Sequence, residues 1–253
     1  VVSKKRIRTA ILPAALIAIA AAAWQLATPG ATGPVSAASA APAAAAQTAP
    51  AVSAPIVLAQ ATAPARQFTL GKEYERLSPT QPTSSGPDKI EVAEVFWYGC
   101  PHCYTFDPYL ESWKKDLPDD VSFVRIPALW NPLLQTHARI YYTAEALNKL
   151  DEMHSATFRE IHVNRNGLDN PAVIRDFFGQ FGVDAATFDK TFESFAVYTK
   201  VQRADELARR YRVSSVPTVI VNGKYTTDAT RAGSYPKLLE VINELIAIER
   251  AGE

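Results

Sequence analysis

The chain has 253 residues, 47% of them apolar, and only 2 cysteines, so it can bury a full core without covalent cross-links and is not a small disulfide scaffold. Its formal net charge is zero, yet residues 1 to 66 carry Lys4, Lys5, Arg6, Arg8 and Arg66 and no acid, which leaves the remainder net acidic. An acidic globule with no basic run excludes nucleic acid as the natural partner.

Lys4-Lys5-Arg6-Ile7-Arg8 precedes a hydrophobic run from Ala10 to Ala27, in which only Gln25 is strongly polar. Residues 1 to 27 therefore read as a signal peptide or a signal anchor, with everything after them exported. The uncharged run from Thr9 to Pro29 is long for a signal peptide and favours a membrane tether, while Val57-Leu58-Ala59 before Gln60 offers a cleavage site. Residues 28 to 66 are almost wholly Ala, Pro, Ser and Thr, and the prolines at 29, 34, 42, 50, 55 and 64 oppose an alanine helix. This stretch reads as a disordered linker.

The folded domain is expected over 67 to 253. Tyr74 to Leu77 reads as a short edge strand and Ile90 to Tyr98 as a central one. A helix follows from Pro101 to about Leu117, then a strand from Val121 to Ile126, which together form a β-α-β unit. Helical periodicity then dominates: His137 to Lys149, Glu152 to Val163, Ala172 to Phe181, Asp184 to Ser194 and Ala196 to Arg212, with Asn170-Pro171 and Asp184 as helix starts. Pro217 to Val221 reads as a strand, Asn222-Gly223 as a tight hairpin turn, Lys224 to Thr227 as its partner, and Ser234 to Glu249 as a closing helix. Strands, a helical block, then strands and a helix describe one α/β sheet domain interrupted by an all-helical insertion at about 131 to 195.

The two cysteines form Cys100-Pro101-His102-Cys103, at the join of the central strand and the first helix. A helix N-terminus presents unpaired N–H groups and a positive dipole end, so Cys100 is expected to be a thiolate with a lowered pKa and to be the nucleophile. Cys103, one turn on, sits deeper and reacts second. A structural disulfide this narrow would restrain little of the unfolded chain. Zinc would need two further ligands, and His137, His154 and His162 are scattered over the helical block. A dithiol redox site is the reading that remains strongest.

Phe96-Trp97-Tyr98-Gly99-Cys100-Pro101-His102-Cys103-Tyr104, the helical insertion, and Ser215-Val216-Pro217-Thr218 before a hairpin resemble the DsbA family of periplasmic thiol:disulfide oxidoreductases. The resemblance runs from about Gln67 to about Ala247; the N-terminal hydrophobic and Ala/Pro segments lie outside it. It implies a thioredoxin-like fold and an oxidase that donates its Cys100–Cys103 disulfide to newly exported proteins, with no metal or organic cofactor. The alternatives are a reductase or isomerase of similar fold, or a thiol-bearing chaperone without turnover. Implied partners are unfolded exported proteins with cysteines and a quinone-linked membrane oxidase of the DsbB type, the enzyme itself being a monomer. Pro101 and His102 complete the active-site motif, and His102 is expected to stabilise the Cys100 thiolate. Pro217 matches the family's cis-proline, which turns the backbone of Val216 toward an extended substrate. Glu94 matches an acid beneath the second cysteine that assists its proton transfer, and Arg125 a basic residue that pairs with it. Because arginine keeps its charge at any relevant pH, Glu94 is expected to be held more firmly ionised than it would be beside the lysine common in the family.

Overall fold

The computed structural model describes residues 66–252. The signal or anchor and nearly all of the linker expected from the sequence lie outside the described residues. Among those residues no helix is long and apolar enough to cross a membrane.

Strand β1 (Glu75–Arg76) is short, as expected of an edge. Strand β2 (Ile90–Phe96) is buried at every position but its first, so both of its faces are covered. Helix α1 (Pro101–Trp113) follows and tightens into a 3-10 turn at Lys114–Asp116, ending the α-helix a turn sooner than the periodicity suggests. Strand β3 (Val121–Pro127) lies parallel to β2, with Glu94 opposite Arg125 in the register.

Helices α2 (Pro132–Ala146), α3 (Leu150–His162), α4 (Pro171–Gly179), α5 (Ala185–Phe192) and α6 (Phe195–Arg210) come next. Their starts are fixed by side chains that accept orphaned backbone N–H groups: Asn131 from Leu134, Asn170 from Val173, Asp184 from Thr187 and Ser194 from Val197. Helix α2 begins five residues before the expected His137, because Asn131-Pro132 is a cap followed by a first-turn proline. Strands β4 (Thr218–Val221) and β5 (Tyr225–Thr227) form a hairpin whose turn residues, Asn222 and Gly223, have φ of 49° and 63°. Both positive values belong to the turn that suits the strand twist. A single helical turn, α7 (Ala229–Ala232), was not expected; Asp228 caps it, and α8 (Tyr235–Ala251) closes the chain.

The sheet order is β1-β5-β4-β2-β3, antiparallel except for β2 and β3. One face presents Val92, Val219 and Val221 to Phe106 and Leu110 of α1 and to Leu238, Val241, Ile242 and Leu245 of α8. The other presents Ala93, Val95, Ile126 and Ile220 to a core built largely by the inserted helices. Helices α2 and α6 pack along β3 and so cover the edge it would otherwise expose.

Candidate active site

The residues after β2 form a tight turn in which the Cys100 N–H donates to the Trp97 carbonyl at 3.0 Å. Cys100 is extended (φ −85°, ψ 119°) and is the N-cap of α1, with Pro101 in the first turn, where a missing N–H costs nothing. Both cysteines are free thiols. Cys100 is 7% exposed and Cys103 fully enclosed.

The two sulfurs have opposite proton affinities. Cys100 is lowered to about 6: the hydrogen bond from the Cys103 thiol contributes most, burial opposes it, and the backbone N–H groups of Cys103 and His102 add to it. The positive charge of His102 lowers it further but ranks behind these, and its side chain is exposed. The larger share of the lowering comes from Cys103 and the backbone. Cys103 is pushed well above an ordinary thiol by burial, by its hydrogen bond to Cys100 and by the nearby charge of Glu94.

Beside Cys100 lies the loop before β4. The Cys100 thiol donates to the Val216 carbonyl at 3.4 Å, and the Val216–Pro217 peptide is cis. An extended chain laid along Val216 would therefore pass next to the reactive sulfur.

Beneath Cys103 is a buried charge cluster. Arg125 Nε donates to Glu94 Oε2 at 3.0 Å, and its Nη2 donates to Asp107 Oδ1 at 3.2 Å and to Glu111 Oε1 at 2.8 Å. Arg125 does not keep Glu94 firmly ionised. Burial raises it to about 7, outweighing Arg125, while the charges of Asp107 and Glu111 push the same way. Burial is the larger cause, and the sharing of one guanidinium among three carboxylates adds to it. By contrast Glu91, the other buried acid of β2, collects the N–H and hydroxyl groups of both Ser84 and Ser85 at 2.7 to 2.8 Å.

The histidines that looked scattered converge on the two residues before Gly99. His137 of α2 accepts from Trp97 Nε1 at 2.9 Å, and its other ring nitrogen lies 2.9 Å from the Gly167 carbonyl. His154 and His162 of α3 hold Tyr98, the first at its hydroxyl (2.9 Å) and the second at its carbonyl (2.8 Å). Phe158 between them packs edge-on against the Tyr98 ring at 5.0 Å, and His162 stacks on Tyr104 at 4.8 Å. The Trp97 indole lies over Gly99, where a Cβ would run into the ring, so glycine is required there. Sequence reading missed this clamp, and it missed Asp107. Two signals were present: His154, Phe158 and His162 recur at helical spacing, and Asp107 lies four residues after Cys103 on the face that buries Phe106 and Leu110. Among the described residues, no group of three or more His, Cys, Asp or Glu side chains is placed to hold a metal.

A mixed sheet with a Cys-Pro-His-Cys N-cap, an adjoining X-Pro loop and a helical insertion defines the class: a thioredoxin-like dithiol oxidoreductase. The family pattern described as the DSBA-like thioredoxin domain matches residues 129–240. The chain is 43% identical over 189 residues to the thiol:disulfide interchange protein DsbA of Pseudomonas aeruginosa, covering 75% of this chain and 89% of that protein. It is 42% identical over 193 residues to its namesake from Pseudomonas syringae pv. tomato, covering 76% and 88%. The crystal structure of Pseudomonas aeruginosa DsbA superposes with a TM-score of 0.70 at 43% identity, over 73% of this chain and 96% of that one. That of DsbA from Xylella fastidiosa gives 0.68 at 28%, over 74% and 100%. The chain belongs to the DsbA family.

Proposed function

We propose that this protein is a thiol:disulfide oxidoreductase that donates a Cys100–Cys103 disulfide to newly exported proteins in the periplasm. A substrate thiolate attacks Cys100 Sγ, forming a mixed disulfide and releasing Cys103 as a thiolate that takes up a proton. A second substrate thiolate then attacks the substrate sulfur; the substrate gains a disulfide, and the enzyme gains the two electrons as a dithiol. The carrying observation is the opposed proton affinity of the sulfurs, Cys100 at about 6 and Cys103 well above an ordinary thiol. A stabilised Cys100 thiolate favours the reduced enzyme and makes Cys100 the better leaving group, so the disulfide is oxidising.

Glu94 is assigned as the proton donor to the departing Cys103 thiolate. Its raised proton affinity keeps a proton available near neutral pH. Arg125 orients Glu94, Pro101 and His102 shape the N-cap around Cys100, and Val216 with Pro217 receives the substrate backbone. No metal or organic cofactor is assigned; the redox group is the cysteine pair itself. Reoxidation is assigned to a quinone-linked membrane oxidase of the DsbB type. Residues 1 to 27 are assigned as export signal or tether, and the linker that follows would hold the site near emerging chains and raise its effective concentration.

The test is oxidation of a reduced, unfolded substrate protein by the oxidised enzyme. One substrate disulfide is expected per enzyme consumed, with none from Cys100→Ala. Insulin reduction with no substrate oxidation would instead identify a reductase.

A further inference from the structure

The cluster beneath Cys103 contains more negative charge than its one arginine can neutralise. Glu94, Asp107 and Arg125 are buried, and Glu111 lies at the cluster's edge. In such surroundings three ionised carboxylates around one guanidinium are costly, so the cluster retains a proton into the neutral range. Which acid carries it depends on the other donors each acid meets. Glu111 also takes Lys114 Nζ at 3.0 Å. Asp107 Oδ2 accepts from Ser155 Oγ at 2.7 Å, and its Oδ1 lies 3.2 Å from His154 Nε2. Among the described residues, Glu94 has no hydrogen-bond donor besides Arg125.

Both extra groups on Asp107 come from α3, in the helical insertion. The second ring nitrogen of His154 pairs with the Tyr98 hydroxyl at 2.9 Å. With that hydroxyl donating to Nδ1, the imidazole carries its proton on Nε2, the ring atom nearest Asp107 although not aligned for a hydrogen bond with it. Burial and the charge of Arg125 hold His154 down to about 4, so near neutral pH it sets a polar N–H beside Asp107 without adding a cation. Burial alone would raise Asp107, but His154, Ser155 and Arg125 together hold it below its ordinary value.

We infer that His154 and Ser155 are positioning residues for the second cysteine: by holding Asp107 ionised, they place the proton of the cluster on Glu94, the acid whose charge acts on Cys103. The consequence for catalysis rests on the assignment of Glu94 as proton donor to Cys103; the placement of the proton does not. The groups that act on Glu94, or on which its charge acts, are Arg125 from β3, Cys103, Asp107 and Glu111 from α1 and Tyr141 from α2, while His154 from α3 and Tyr98 from the loop after β2 act on Asp107 and Arg125. Lys114 acts through Glu111. The insertion thus sets the protonation of a site on the sheet without touching either sulfur.

Carboxyl-carbon NMR of the full reduced chain across pH reads where the proton sits. Wild type should show Glu94 titrating at about 7. Ser155→Ala removes a donor from Asp107, so the Glu94 midpoint should fall by about one pH unit while that of Asp107 rises. Ser155→Thr, which keeps the hydroxyl, should restore the wild-type midpoints. His154→Phe, which keeps an aromatic ring and loses the polar N–H beside Asp107, should shift Glu94 in the same direction as Ser155→Ala. Unchanged Glu94 midpoints in folded Ser155→Ala and His154→Phe, or equal shifts in Ser155→Ala and Ser155→Thr, would overturn the inference. The pH profile of substrate oxidation is recorded on the same proteins. A midpoint that moves while the profile stays fixed would uphold the placement and refute the role of Glu94 toward Cys103.

Discussion

The region above the active-site turn and the region below it act on two sulfurs one helical turn apart, and they do opposite things. Above, Cys100 meets N–H groups, a thiol donor and the exposed His102, and is lowered to about 6. Below, Cys103 meets apolar packing and the acid side of a cluster built on Arg125, and is raised. The comparison shows that the asymmetry needed for directional disulfide exchange does not come from charges placed next to each cysteine in the sequence. It comes chiefly from the hydrogen bond that Cys103 gives Cys100 and from the deep burial of Cys103, with the N–H groups at the helix start adding on one side and the charge of Glu94 on the other.

The largest expected effect of breaking the contrast is in Cys103→Ala. The Cys103 thiol contributes most to lowering Cys100, so its removal should raise the Cys100 pKa from about 6 by roughly one to two units. Alkylation rate against pH measures this. The helix N-terminus and His102 remain in that variant, so a Cys100 that stays at about 6 would assign the lowering to them.

Next comes Glu94→Gln, read by the stability of the oxidised protein, in which no thiol titrates. The folded-state pKa of Glu94 is raised, so the wild type loses stability as pH rises from an unfolded value near 4.5 through about 7, after which the loss is constant. The size is on the order of 3 kcal/mol. Glu94→Gln lacks that loss. Its stability relative to wild type should therefore climb across the same window and level off above it, as read by denaturant unfolding at a series of pH values. A flat difference would mean that Arg125 neutralises Glu94 after all.

The smallest expected effect is that of His102→Ala. Its charge ranks last among the groups lowering Cys100, and it is exposed, so the pKa should rise by about half a unit or less. A larger rise than in Cys103→Ala would reverse the ranking.

Much of the upper region was legible in the sequence, because it is local: a strand, a cysteine at the cap position, a proline in the first turn, and Val216-Pro217 ahead of an Asn-Gly hairpin. The pairing of Glu94 with Arg125 was also within reach, since adjacent parallel strands put them opposite each other. Its consequence was not legible. The competing acids, Asp107 and Glu111, lie on α1, and the groups that bias them, His154 and Ser155, lie on α3, nearly fifty residues away in the chain. Helical spacing marked these residues as sharing a face, but nothing local said that the face was turned toward β2. The register of α3 on α1 is a packing outcome, and the same packing turned His137, His154 and His162 from apparent scatter into a clamp on Trp97 and Tyr98.

The central claim, that one sulfur is tuned to ionise and the other to stay protonated, is tested most directly by the ultraviolet absorbance of thiolate in the reduced protein as a function of pH. A single thiolate should appear with a midpoint at about 6, and the second should not form until well above the free-thiol range. Because the folded-state pKa of Cys100 is depressed, the stability it confers on the reduced protein should be present in full above the free-thiol value of about 8.5 and be lost as pH falls through about 6. Two thiolates forming together at about 8.5 would contradict the account.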